Sequence, residues 1–240
     1  MNDSKNDSLS FRIVDNGDSA LTVIFNQTPS EFLTRKIRSL QQLIRDHFHN
    51  IVHDIIPAYQ SITILFNLSA ISKSNLKEKL SDILNKPIEP SNYQSKLLEI
   101  PVCYESKYAL DLAALATHCN MTVQQVIEVH TSQTYLVHML GFLPGFLYLG
   151  GLSAQLHCPR KINPATRIPA GSVGIGGEQT GIYPVDSPGG WHIIGRTPLP
   201  MFDPTKNNPA IASPLDKIKF ISIGQSEFLE LQKRHKETNR

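Results

Sequence analysis

The stretch Gly176–Thr197, GGEQTGIYPVDSPGGWHIIGRT, decides how the second half of this 240-residue chain is read. It follows PATRIPAGSVGI and holds the only tryptophan, Trp191. Twelve of the 14 glycines lie within 141–195, and none occurs between Asp18 and Leu140. Glycine serves positive φ angles and close approach of the backbone to a ligand or another strand. Such a concentration fits a phosphate cradle, a cramped cleft or a tightly turned barrel. The first reading is weak here. No G-x-x-x-x-G-K-[ST] occurs, so the lysine and Mg²⁺-binding hydroxyl of a P-loop are missing. The run Gly174 to Gln179 ends in Gln where G-x-G-x-x-G needs Gly, and strand residues follow where a helix should open. Turn amides in this stretch still suit an anion.

Outward from this motif, helical periodicity is absent from Thr134 onward. Short apolar runs, YLVHML, SVGI, WHIIG and KIKFISI, alternate with eleven of the 16 prolines, from Pro144 to Pro214. Many short strands joined by Gly/Pro turns predict an antiparallel barrel or sandwich. Before them, KLLEIPVCY reads as a strand, and ALDLAALATHC and TVQQVIEVH as helices. Thr122 and Gln125 stand at capping-box spacing at the start of the second helix. The first part of the chain differs. FRIVDNGDSALTVIF is a hairpin around Asn16-Gly17. A helix with Leu33, Ile37, Leu40, Ile44 and Phe48 on one face follows, then strands over 51–66 interrupted by Pro57, then a helix carrying Leu76, Leu80 and Leu84. This order predicts a small α+β sandwich. NKPIEPSNYQS (85–95) is the expected linker, which divides the chain into an N-terminal domain 1–90 and a second domain 91–240. The second domain is expected to begin with two helices and to end in a solvated polar tail, KRHKETNR.

Composition narrows the function classes. Lys and Arg total 23 against 21 Asp and Glu, so nothing points to nucleic acid or an acidic membrane surface as a partner. The first ten residues, MNDSKNDSLS, have no apolar core of a signal peptide, and no run reaches the ~18 apolar residues of a membrane helix. Three scattered cysteines without CxxC argue against a disulfide framework or zinc site and for a reducing cytoplasm. His47, His49 and His53 read as a solvated turn, and H-E-x-x-H is absent, so no metal site is expected.

Catalytic triads find little support. There is no G-x-S-x-G, and Ser187, Asp186 and His192 are too close in sequence to adopt triad geometry easily. Glu178 and Asp186 are the only acids between Val129 and Phe202, and both read as solvated turn residues. Arg160, Arg167 and Arg196 lie in this acid-poor segment beside Gln179, Thr180 and Tyr183. Phe142, Phe146, Tyr148 and Trp191 supply an apolar wall. An arginine fork suits carboxylate or phosphate, so the set points to a cleft for a small anion. Each arginine alone also fits a structural reading in which it bonds loop carbonyls.

The runs HMLGFLPGFLYLGGL and PRKINPATRIPAGSVGIGGEQTGIYPVDSPGGWHIIGRTPLPMFDP, with the earlier GDSAL, resemble the family of 5-oxoprolinase B subunits. That family is also called allophanate hydrolase subunit 1 and includes the Kip-type sporulation-kinase inhibitor. One departure is Tyr108-Ala109, where family members often have Gly-Pro. The resemblance implies an α+β protein, a small N-terminal α+β domain followed by a cyclophilin-like antiparallel β-barrel. It further implies a bacterial ATP-dependent 5-oxoprolinase that opens 5-oxo-L-proline to L-glutamate, with subunits A and C as partners and ATP with Mg²⁺ as co-substrate. On that basis Arg167 and Arg196 bind the anionic substrate or transferring phosphate, and Gln179 and Thr180 orient its polar atoms. Tyr183 and Ser187 line the same cleft, Phe142, Phe146 and Trp191 wall it, and Gly176, Gly177 and Gly181 bring the backbone close. The other activity within the family is non-catalytic: an inhibitor that docks on a histidine kinase through its barrel.

Overall fold

The computed structural model describes residues 9–238, and contacts divide the chain into two compact units between Gln94 and Ser95. In the first unit, β1 (Phe11–Asp15) and β2 (Ala20–Phe25) form the hairpin at Asn16-Gly17, with Gly17 at φ +70°. α1 (Glu31–His47) follows, then β3 (Val52–Pro57), β4 (Ser61–Phe66) and α2 (Lys73–Leu84). The antiparallel sheet runs β1-β2-β4-β3. Both helices start where a serine hydroxyl accepts a backbone N–H: Ser30 from Leu33 and Ser72 from Asn75. Alternation puts Leu21, Val23, Ile62 and Ile64 on one sheet face, where they join Leu33, Leu40, Ile44, Leu76 and Leu80 in one core.

The expected linker is not a free tether. Arg35 donates through Nη1 to the carbonyls of Ser91 (2.9 Å) and Tyr93 (3.0 Å). Buried Lys36 donates through Nζ to the Ile88 carbonyl, and the Arg38 guanidinium lies 4.3 Å from the Tyr93 ring centroid. Ile88 is itself buried in the first unit's core. The prolines stop regular structure there, and the basic residues of α1 hold the irregular backbone in place.

The second unit opens with β5 (Leu97–Cys103), α3 (Leu112–His118) and α4 (Val123–Ser132). The capping box at Thr122 and Gln125 is formed in both directions. Strands β6 (Thr134–Leu140), β7 (Leu147–Gly150), β8 (Ala165–Ile168), β9 (Ser172–Gly176), β10 (Gln179–Ile182), β11 (Ser187–Gly189), β12 (His192–Arg196) and β13 (Lys217–Ile223) follow, and α5 (Gln225–Thr238) ends the described chain. Seven strands close a barrel in the order β10-β7-β6-β13-β5-β12-β9, while β8 and β11 pair as a separate ribbon. Closure is antiparallel at every seam but one: β13 runs parallel to β5, Lys217 opposite Leu97 through Ile223 opposite Cys103. The polar tail expected at 233–240 is, as far as 238, the last turns of α5. That helix is anchored by buried Phe228, which packs with Cys103, Tyr108 and Ile223.

Candidate functional site

The glycine-rich hairpin β9–β10 has two faces. Inward, Val173, Ile175, Thr180 and Ile182 are fully buried in the barrel. Outward, Gly174 stands opposite Gly181, and Gly176 opposite Gln179. A Cβ on Gly176 would lie 2.5 Å from the Trp191 indole. One on Gly181 would meet the Leu147 carbonyl at 2.6 Å and the indole at 2.9 Å. The outer face is therefore a bare floor on which Trp191 lies, walled by Phe146 and Tyr183 with ring centroids 5.5 and 6.4 Å from it. Burial pushes the Tyr183 phenol up to about 12.

This corrects the cleft expected from the sequence. Phe146, Tyr183 and Trp191 are a closed satellite core with Ile168 and Ile193. Gly176 and Gly181 make room for the protein's own tryptophan. Gly177 differs: it has φ +66° and nothing within 4 Å of an added Cβ, so it serves the hairpin turn. Its N–H goes to the Cys158 carbonyl, and that of Gly171 to the Tyr183 carbonyl. With Gly174, Gly176 and Gly181 in the ladder, the stretch does not fit a phosphate cradle. Phe142 remains exposed at 60% with φ +68°, its ring edge-on to Phe146.

Thr180 is also out of reach of solvent. Its hydroxyl donates to the Gly174 carbonyl (3.1 Å), so it must accept from His130 Nε2 at 3.1 Å. That assigns the proton of the neutral imidazole to Nε2 and leaves Nδ1 to accept from the Tyr104 hydroxyl at 2.8 Å. Tyr135 donates to the His130 carbonyl at 2.7 Å, and Phe220 stacks on the ring at 4.5 Å. Complete burial lowers the His130 pKa to about 3. The group is a satisfied polar pin inside the barrel. Ser187 is buried on the ribbon, and its hydroxyl has no hydrogen-bond partner among the described residues.

The open site lies at the other end of β9. Arg196 pairs with Ser172, the first residue of that strand, whereas Gln179 pairs with Gly176, the last. Four residues of strand separate the two positions by ~13 Å, so they do not grip one small ligand. Around Arg196, the turn Pro169–Gly171 passes between two strands. Gly171 donates to the Tyr183 carbonyl and accepts from Thr197, and its φ of +81° brings it so close that a Cβ would be 2.4 Å from the Thr197 carbonyl oxygen. Only glycine fits there. The turn delivers the Ala170 carbonyl to Arg196 Nε (2.7 Å) and the Ala170 N–H to Asp186 (2.8 Å).

The two arginines then diverge. Arg167 forks onto Asp186 through Nε (2.9 Å) and Nη2 (2.7 Å) on the exposed ribbon. The Ala170 amide, and then Arg167, hold the Asp186 carboxyl below its ordinary range. Arg196 is half-buried, and among the described residues no carboxylate lies within ion-pair distance of it. It lines a cavity of about 410 Å³ walled by Pro184, Pro198, Pro200 and Phe202, with His235 of α5 at its edge. Phe202 reaches this position because Gly145, at φ +83°, leaves room for it; a Cβ there would sit 2.7 Å from the Phe202 Cβ. Phe202 and His235 escaped the sequence reading; the run TPLPMFDP, adjoining Arg196, was the available signal.

Elsewhere, Arg160 sits 5.9 Å over the Trp191 ring, and Lys161 is paired with Asp111 at 2.6 Å. His47 and His49 bond to the Leu43 and Asp46 carbonyls. Among the described residues no three His, Cys, Asp or Glu side chains converge as metal ligands, and no helix is long and apolar enough to cross a membrane.

The family described as the carboxyltransferase domain, subdomain C and D, matches residues 11–212. The 5-oxoprolinase B subunit of Bacillus subtilis (strain 168) is 34% identical over 228 residues, 91% of this chain and 95% of that one. The protein of the same name from Escherichia coli O157:H7 is 39% identical, covering 85% and 93%. The crystal structure of TTHA0988 superposes with a TM-score of 0.73 at 29% identity, covering 85% of this chain but only 39% of that longer one. The chain thus belongs to the family of 5-oxoprolinase B subunits, built on subdomains C and D of the carboxyltransferase domain.

Proposed function

We propose that this chain is the B subunit of an ATP-dependent 5-oxoprolinase in which Arg196 holds the carboxylate of 5-oxo-L-proline. The names of relatives that match most of the chain support the reaction. The half-buried Arg196, which makes no ion pair among the described residues although Asp186 lies near enough to feel its charge, supports the placement. With Nε fixed on the Ala170 carbonyl, the terminal nitrogens keep a planar fork for a carboxylate. The proline and phenylalanine walls exclude water from one side and strengthen that contact.

A lactam is a poor electrophile. ATP with Mg²⁺ would supply a phosphoryl group to the amide oxygen. Water adding to the activated carbon would then let the C–N bond break, with a proton going to the nitrogen. A second water would hydrolyse the resulting acyl phosphate to L-glutamate and inorganic phosphate. Nothing in the glycine-rich stretch suits those phosphates, so this reading assigns them to a site completed by subunits A and C. Arg196 would bind and orient the acid substrate. Asp186, not Arg167, would keep the turn at Ala170 in place, through its bond from the Ala170 N–H.

Co-expression of the full chain with candidate A and C subunits tests the reading. ATP-dependent glutamate release from 5-oxoproline is expected from the three together and not from this chain alone. No release from the three together would refute it.

A further inference from the structure

The Arg196 cavity does not end at α5. A second cavity of about 340 Å³ adjoins it, and Leu199, Pro200 and His235 line both. His235 is the one ionisable side chain they share. The second cavity also holds Asp203, Lys206 and Asn208. Asp203 is spent: Oδ1 accepts from Thr205 N (3.1 Å) and Oγ1 (2.7 Å), and Oδ2 faces Lys206 Nζ at 3.3 Å. These bonds, the Thr205 hydroxyl first, hold its carboxyl below the ordinary range. The walls contribute Pro184, Pro198, Pro200 and Pro209, which have no N–H. An acidic group bound here meets donors on a few side chains: Arg196, Thr197 and Gln232 in the first cavity, His235 shared by both, and Lys206 and Asn208 in the second.

We infer that the paired cavities form a two-headed site for a linear dicarboxylate. Arg196 takes one carboxylate and His235, with Lys206, takes the other. The inference rests on the proposed reaction for the ligand's identity, since ring opening creates a second acidic group that the lactam lacks. The site then favours the opened product over the ring, and His235 is the residue that separates them.

Titration of the full chain with glutarate, L-glutamate, butyrate and 5-oxo-L-proline by calorimetry tests this. Glutarate and glutamate are expected to bind ~10-fold more tightly than butyrate or 5-oxoproline, the worth of one charge-assisted hydrogen bond. His235→Leu should bring that ratio to about one while leaving butyrate unchanged, and Arg196→Gln should weaken all four. If circular dichroism shows that His235→Leu disturbs α5, Lys206→Gln is expected to lower the same ratio. An unchanged ratio in folded His235→Leu, or no saturable glutarate binding at millimolar concentration, overturns the inference. A reconstituted complex that releases no glutamate, beside a ratio that behaves as stated, would remove the proposed reaction and leave the two-headed site.

Discussion

Two regions of the barrel unit invite comparison: the glycine floor under Trp191 and the cavity beside Arg196. The first has glycines, aromatics and a neighbouring arginine, all the marks of a ligand site, yet its own tryptophan fills it. The second is walled by prolines and one phenylalanine and stays open. The difference shows what glycine density records here. Removing Cβ atoms from facing positions of β9 and β10 lets a bulky ring lie against the backbone, and that ring is as easily internal as foreign. Open space arises instead where proline-rich loops cannot pair with a strand.

The largest effect in this comparison is expected from emptying the floor. Trp191→Ala should destabilise the protein by about 3–5 kcal/mol, because a buried indole is lost above glycines that cannot fill the gap. Denaturant unfolding measures it, and a loss under ~1 kcal/mol would mean that the tryptophan is not a core residue. Filling the floor from below is milder. Gly181→Ala forces a Cβ against the Leu147 carbonyl and should cost about 1–3 kcal/mol. Gly177→Ala meets no atom and should cost only about 1 kcal/mol for its positive φ.

The inner face of the same hairpin gives an acid-dependent effect. His130 has a pKa of about 3 when folded, below its ordinary 6.5. Protonation therefore favours the unfolded chain. The stability is complete above pH 6.5 and is lost as the pH falls toward 3, at up to ~1.4 kcal/mol per pH unit. His138, also lowered by burial, adds in the same direction. In His130→Gln the acid limb should be shallower over that window; an identical slope would contradict the neutral, hydrogen-bonded imidazole. The smallest effect is expected on the exposed ribbon, where Arg167→Gln should leave the unfolding midpoint unchanged.

Much of the architecture was legible before the structure. Thr122, with Gln125 at capping-box spacing, marks a helix start by its own chemistry, and Asn16-Gly17 marks the first hairpin. The pairing of β13 with β5 was not legible, because it joins strands about 120 residues apart in parallel and no turn signals it. α5 was hidden for another reason: it buries little beyond Phe228 and Leu231, so its sequence looks like a solvated tail. At the site, Arg167 and Arg196 look equivalent as residues. What separates them is the position of Asp186, set by its bond to the Ala170 amide, and such a contact depends on register. Thr180 was misplaced by the same blindness, since the pleat that turns Gly181 outward turns Thr180 into the barrel.

The difference between the two arginines is central, and one paired measurement reaches it directly. In the reconstituted complex, kcat/KM for 5-oxoproline is compared for Arg196→Gln and Arg167→Gln. Loss of a carboxylate fork should cost Arg196→Gln ~100-fold, and Arg167→Gln should stay within about threefold of the parent. Equal losses at the two positions, or a larger loss at Arg167, would contradict the assignment of the cavity beside Arg196 as the substrate site.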